Sequence, residues 1–349
     1  MKKIFVFVMS AALFAACDNP LEYKPENKAD ELIVNAFLDA GETSHLVQLA
    51  VSSTEYVKPV EKAELRFYVN GELKARTTEF EDHTEWQYNT TVEAMHFEAS
   101  FKAGDVVRLE VDADGRFSAY NEQVVPPAPT VPGIDTVRVM QTTKEGYSAE
   151  YLRFDYKVSD TEAEENYFRI KIEGYASAIF YDKDDKELKR DSRKWMNSLR
   201  IDNDPILNGG YIDSGDSGFE LELGTRNTYC VFSDMQFSGA SVTLRPMVYA
   251  NSFVALPAIP EGTESAIVDN YAIATIQSLT QRYFYYMKAL NMLQDGSDDL
   301  ALEDVQIADN VEGGIGFVGV SNSVSKSFWM GTKEYDELVY YEDYPIYQE

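Results

Sequence analysis

Cysteine is nearly absent: among 349 residues only Cys17 and Cys230 carry a thiol. If an anchor consumes Cys17, no intrachain disulfide can form, even in an exported chain where one would persist. Cys230 sits in the apolar run Tyr229-Cys230-Val231-Phe232 and is expected to be a buried small hydrophobe. Histidine is almost as scarce. His45, His83 and His96 all precede residue 97, which excludes a Ser-His-Asp arrangement built within the C-terminal part. His83 and His96 flank Trp86, but no thiolates and no H-x-x-x-H spacing accompany them, so no metal site is expected. Positive charge is also short, with 31 Lys and Arg against 59 Asp and Glu and a formal charge of −28. Such a field repels phosphate backbones and anionic headgroups, so nucleic acid is not an expected partner. Beyond the first seventeen residues, no run approaches the roughly 20 apolar residues that cross a bilayer.

What is present begins at the N-terminus. Lys2 and Lys3 precede an apolar stretch from Ile4 to Phe14, and Leu13-Phe14-Ala15-Ala16-Cys17 places small residues before a cysteine. This reads as a lipoprotein signal, with residues 1–16 removed and Cys17 acylated, palmitate-type chains holding the protein to a lipid bilayer without spanning it. Residues 17–30, polar and proline-containing, read as a tether.

From Glu31 the pattern is two-residue alternation in short runs. Leu32 to Leu38, Leu46 to Val51 and Ala63 to Val69 each alternate, and Asn70-Gly71 after the third is a strong hairpin signal. Alternation resumes around Gly104-Asp105. The expectation is an Ig-like antiparallel β-sandwich over residues 31–125. Four of the twelve prolines then fall within residues 126–132, where fixed φ and missing N–H groups keep the chain out of a sheet interior. A linker is expected there, followed by a larger β-rich domain over 133–349. That domain carries one amphipathic helix near 279–294, for which Ser278-Leu279-Thr280-Gln281 fits a capping box with Ser278 as N-cap. A Gly-rich strand is expected near 313–321. The overall class is mainly β.

Near the C-terminus the chain reads Asn310-Val311-Glu312-Gly313-Gly314-Ile315-Gly316-Phe317-Val318-Gly319. With Leu32-Ile33-Val34-Asn35-Ala36, Ile134-Asp135-Thr136-Val137 and Phe232-Ser233-Asp234-Met235-Gln236-Phe237-Ser238-Gly239 in the same order, this resembles the Bacteroidetes lipoprotein family catalogued as domain of unknown function 4249. The resemblance implies a β-rich, surface-attached lipoprotein that accompanies a TonB-dependent outer-membrane barrel, and it implies no catalytic residues.

Other motifs carry less. Gly314 to Gly319 formally satisfies G-x-G-x-x-G, but the run continues as an alternating strand rather than opening a helix, so its glycines read as sites of close backbone approach. Acidic loops at 182–185, 202–204, 213–216 and 295–299 lack the EF-hand spacing and its closing Glu. Carboxylates are so abundant that a glycosidase-like pair would arise by chance. The tail from Glu334 interleaves acids with Tyr335, Tyr340, Tyr341 and Tyr344, residues suited to an interface. The expected function is a non-enzymatic ligand-binding or accessory lipoprotein of a TonB-dependent nutrient transporter, on the outer membrane and preferentially at its exterior face, with no cofactor. The alternatives are a structural or adhesive surface protein and, behind it, a glycan-active enzyme.

Overall fold

The computed structural model describes residues 30–53, 57–85, 90–142, 148–160, 165–209, 226–294 and 307–336. Cys17 therefore lies outside the described residues. The fold is mainly β, with one α-helix among the described residues.

A nine-stranded sheet organises the molecule. Its order is β12 (Glu187–Met196), β11 (Tyr167–Tyr181), β16 (Ser265–Leu279), β17 (Val318–Tyr335), β1 (Glu31–Asp39), β2 (Ser44–Ser52), β6 (Thr90–Glu98) and β5 (Glu81–Glu85), with β13 (Val231–Ser233) also paired to β11. A second sheet runs β4 (Glu72–Thr77), β3 (Ala63–Val69), β7 (Val106–Ala113), β8 (Phe117–Val124). A third joins β14 (Ser241–Leu244), β10 (Ser148–Ser159) and β15 (Met247–Tyr249), with β9 (Gly133–Thr142) on the other edge of β10. Among the named strands, β1 and β17 form the one parallel pair, Ala36 opposite Val318 and Asp39 opposite Ser321.

Alternation decides which face of the large sheet meets which layer. Leu32, Val34, Ala36 and Leu38 of β1 turn to the same side and pack with Leu65 and Phe67 of β3 and Leu109 and Val111 of β7. The large sheet and the β4-β3-β7-β8 sheet thus face each other over one core, which also takes Val311, Val318 and Val320 from the far end of the chain. On the same face, Ala272, Ala274 and Ile276 of β16 and Ile170 and Ile172 of β11 pack with Leu152, Phe154 and Tyr156 of β10. One sheet thus backs two smaller sheets, and it runs uninterrupted from strands before the proline segment to strands after it. That segment is tied down: Val125 is buried in the first core, Val131 borders the second, and the Pro126 carbonyl accepts a 3.0 Å bond from Asn322 Nδ2.

The hairpin at Asn70-Gly71 joins β3 to β4 with φ of 52° and 79°, both in the left-handed region that Asn and Gly tolerate. The helix, α1 (Gln281–Gln294), starts later than its capping box predicts. Ser278 and Leu279 remain in β16, opposite Phe168 and Tyr167 of β11 on one side and Asn322 and Ser321 of β17 on the other. Two-sided pairing holds them extended, and Thr280 takes the cap position, its carbonyl accepting the Phe284 N–H at 3.0 Å. The residues that follow, 295–306, lie outside the described residues.

His45 is buried among Phe67, Phe97 and Phe101, ring centroids 5.2–6.4 Å away, with Nε2 3.1 Å from the Ala99 carbonyl. Burial pushes its imidazole below the ordinary value. The folded chain resists protonating it while the unfolded chain does not, so this contribution to stability is full at neutral pH and is lost on acidification below about 6.5. The urea midpoint is expected to fall between about pH 7 and pH 5, and less steeply in His45→Phe than in the wild type.

Candidate functional site

The opposite face of the large sheet carries α1 and, beside it, a trough. Its floor follows β17, whose outward residues Gly319, Ser321 and Ser323 are small. Gly319 lies under aromatic side chains, since a Cβ there would meet Phe37 and Tyr283 at 3.0 Å. Longer side chains stand on either side: Arg169 and Lys171 from β11 and Gln277 from β16, against Asn35, Asp39 and the apolar Phe37 from β1 and Gln48 from β2. The helix supplies the wall through Tyr283, Tyr286, Met287 and Leu290. The enclosed volume is about 510 Å³, within the range of small-ligand sites.

The wall is rigid by stacking. Tyr286 lies 3.9 Å from Phe317 at 11°, and Phe37 lies 5.4 Å from Tyr283 at 15°. Burial pushes the Tyr283 phenol up to about 12, with Asp39 adding to the rise and Arg169 opposing it, so it stays a neutral hydroxyl. The Arg169 guanidinium donates to the Tyr229 carbonyl at 3.3 Å and lies 5.7 Å from that ring's centre. Tyr229 is itself held: its N–H donates to Asn291 Oδ1 of the helix at 2.9 Å. The next residue, Cys230, is buried as expected, but at φ 52°. Asn227 clamps that conformation by accepting the Val231 N–H at 3.0 Å. Burial pushes the Cys230 thiol up to about 12, which removes thiolate chemistry at neutral pH.

Gln277 and Asp39, on strands separated by β17, meet over Ser321. Gln277 Nε2 donates to Asp39 Oδ2 and to Ser321 Oγ, the latter at 3.2 Å. Both side chains are nearly out of solvent, at 3% and 4% exposure, yet Gln277 Oε1 has no hydrogen-bond partner among the described residues.

The residues singled out from the sequence lie elsewhere. Tyr335 ends β17 opposite Ala266 and borders the small cluster of Ala176, Ala178 and Val268, with Lys333 Nζ 4.8 Å from its ring centre. Tyr340, Tyr341 and Tyr344 lie outside the described residues. Among the acidic loops, Asp182 caps the β11–β12 turn by accepting the Asp184 and Lys186 N–H groups, and Asp204 accepts those of Ile206, Leu207 and Arg245. These oxygens are engaged in turn formation. Positions 213–216 and 295–299 lie outside the described residues. His96 Nε2 pairs with Ser44 Oγ, and no group of three or more His, Cys, Asp or Glu among the described residues is placed to hold a metal ion. Asp39, Arg169, Lys171 and Gln277 are missed by motif reasoning because they stand on three strands far apart in sequence. The one local signal is Gln277, a polar side chain inside Ala274-Thr275-Ile276-Gln277-Ser278-Leu279.

The glycine run enters the sheet beside β1. The Ile315 carbonyl accepts the Val34 N–H at 2.9 Å, the Phe317 carbonyl accepts the Ala36 N–H at 3.0 Å, and Ile315 N–H donates to the Leu32 carbonyl at 2.8 Å. Asn35 Oδ1 accepts the Phe317 N–H at 2.9 Å. A Cβ on Gly314 would come within 2.5 Å of the Leu32 oxygen, and one on Gly316 within 2.4 Å of the Val34 oxygen. The run is a backbone contact, as its strand context predicts, and it delivers Phe317 and Gly319 to the trough.

No curated protein matches this chain. A solved structure titled "Biofilm associated protein - BSP domain" is 6% identical, with 89% of this chain and 62% of that one covered and a TM-score of 0.14, too low to bear on fold or function. The chain thus spans under two thirds of that protein's length. A sequence family does match, over residues 18–327, and it includes each of the four blocks whose order the sequence displays. The chain belongs to the family described as Domain of unknown function (DUF4249).

Proposed function

We propose that this chain is a lipid-anchored binding protein of the outer membrane, tethered through acylated Cys17, which holds a small polar ligand in the trough beside α1 and works with a TonB-dependent barrel that imports it. The observation that carries the binding part is the trough itself: a volume of about 510 Å³ with a stacked aromatic wall and a buried amide oxygen that no group among the described residues satisfies. Buried polar groups are otherwise paired almost without exception, because an unpaired one costs about 1–3 kcal/mol. Retaining such a group in a cleft is sensible where a ligand completes it. The lipoprotein signal read from residues 1–17 supports the address, and the transporter association that the resemblance to this family implies supports the partner.

The test is to isolate the tagged, lipidated chain from native outer membranes, denature it, and identify released small molecules by mass spectrometry. A compound released in near-equal amount to the protein is expected from the wild type and not from an Asp39→Asn, Lys171→Met double variant. Equal release from both proteins, or from neither, overturns the trough as the binding site.

A further inference from the structure

Charge in the trough is left unmatched in a specific pattern. Asp39 is a carboxylate at 4% exposure whose partners are the Gly41 N–H, at 2.8 Å, and the Gln277 amide; among the described residues no cation pairs with it. Beside it stands Gln277 Oε1, an acceptor without a donor. Across the floor, Lys171 has neither an ion pair nor a side-chain hydrogen bond among the described residues, and Arg169 turns its guanidinium to the carbonyl and ring of Tyr229 and to the Tyr283 hydroxyl rather than to an acid. The remaining charges nearby are paired, with Lys194 3.0 Å from Glu173 and 3.9 Å from Glu42. An interior carboxylate without a cation is costly, and a matching cation is the usual remedy. The trough therefore presents an acceptor end that needs a positive donor and a cationic end that needs an anion.

We propose that the trough binds a short peptide by its two termini, the α-ammonium on Asp39 and Gln277 Oε1 and the terminal carboxylate on Lys171 with Arg169 beside it. This rests on the trough being the ligand site. Spacing selects a peptide over a single amino acid. Asp39 lies in the row Ser321, Leu279, Tyr167, and Lys171 is four residues along β11 from that row. Three strand steps of about 4.8 Å and four residues of about 3.3 Å separate the two α-carbons by roughly 19 Å along the diagonal. Even with both side chains turned fully toward each other, the charged ends of Lys171 and Asp39 would stay roughly 10 Å apart. An extended chain covers about 3.3–3.6 Å per residue, so three or four residues bridge the ends. Phe37, half exposed on the floor, and Tyr286 and Met287 on the wall give an apolar surface for a large side chain between them.

The experiment is isothermal titration of the full lipidated chain in detergent with the tetrapeptide Ala-Phe-Ala-Ala, its N-acetylated and C-amidated forms, free phenylalanine, and maltotetraose. Saturable binding of the free tetrapeptide is expected, with a loss of tenfold or more on blocking either end. In Asp39→Asn the N-acetyl penalty is expected to disappear, and in Lys171→Met the amide penalty, with circular dichroism showing each variant still folded. Equal affinity for blocked and free peptides, equal affinity for phenylalanine, or preference for maltotetraose overturns the proposal. A non-peptidic compound released from the native protein but not from the double variant would overturn it too while leaving the trough as the binding site. Failure of every probe together with no differential release would overturn both.

Discussion

Gly316→Val is expected to abolish folding or to lower the unfolding midpoint by about 10 °C or more. Two independent penalties meet at this position. Its φ of 112° lies where side chains are rarely found, a strain of roughly 1–3 kcal/mol. The added Cβ would also press on the Val34 carbonyl oxygen at 2.4 Å and on Asn35 Oδ1 at 3.0 Å. The obstacle is backbone inside a parallel pair, so the clash is relieved only by parting β1 from the incoming strand. Parting them breaks the bonds from Val34 and Ala36 to the Ile315 and Phe317 carbonyls and the Asn35 bond to Phe317. Each buried group left unmatched costs about 1–3 kcal/mol. The sum reaches about 4 kcal/mol or more, a large part of the 5–15 kcal/mol that holds typical domains. At roughly 2–4 °C per kcal/mol in a chain of this size class, the midpoint shift follows. Gly71→Ala separates the two penalties, because φ there is 79° but nothing lies within 4 Å of the new Cβ. Circular dichroism melts of both variants are expected to show a shift several times smaller for Gly71→Ala.

Asn310→Ala is expected to cost about 2–3 kcal/mol, read as a lower urea midpoint with an unchanged slope. Asn310 is 9% exposed and clips the first residue of β17 from both sides, its Nδ2 donating to the Val318 carbonyl and its Oδ1 accepting the Val318 N–H, each at 2.8 Å. The carbonyl keeps a second donor in Gln123 Nε2 at 2.6 Å, whereas the N–H donates to Asn310 Oδ1 and to no other side chain among the described residues. Truncation therefore orphans a buried donor. Asn310→Asp tests the direction of the clip: it restores an acceptor for the N–H but sets a second oxygen against the Val318 carbonyl. It is expected to rescue less than half of the loss. Hydrogen exchange at Val318 is expected to accelerate in both variants.

Much of the architecture was legible in sequence, and Gly316 and Asn310 mark what was not. Alternation in Leu32 to Leu38 and in Ala63 to Val69 marks strands because one face of each must be apolar, and the proline segment marks a crossing because proline cannot join a ladder. The block order around Asn35 and Asn310 to Phe317 was visible, though its meaning was not: Asn35 and Phe317 are 282 residues apart and joined by one hydrogen bond. Long-range parallel pairing leaves no local periodicity, so a bipartite reading of the chain missed the sheet that spans it. The start of α1 was misplaced for a related reason. Ser278 has the chemistry of a cap, but pairing on both sides by β11 and β17 outweighs it. The trough was illegible because its charges come from β1, β11 and β16, and what distinguishes them is the lack of a partner, which sequence does not display.

The isolation that reports a bound small molecule also reports bound protein, and the protein readout tests the transport claim most directly. The tagged, lipidated chain is drawn from native outer membranes under mild detergent, with Cys17→Ser as the unanchored control. A TonB-dependent barrel is predicted to come with the wild type in near one-to-one ratio and to be absent with Cys17→Ser. Recovery of the wild-type chain alone, or with fimbrial subunits in place of a barrel, would contradict a role in import and make an adhesive surface role the better account.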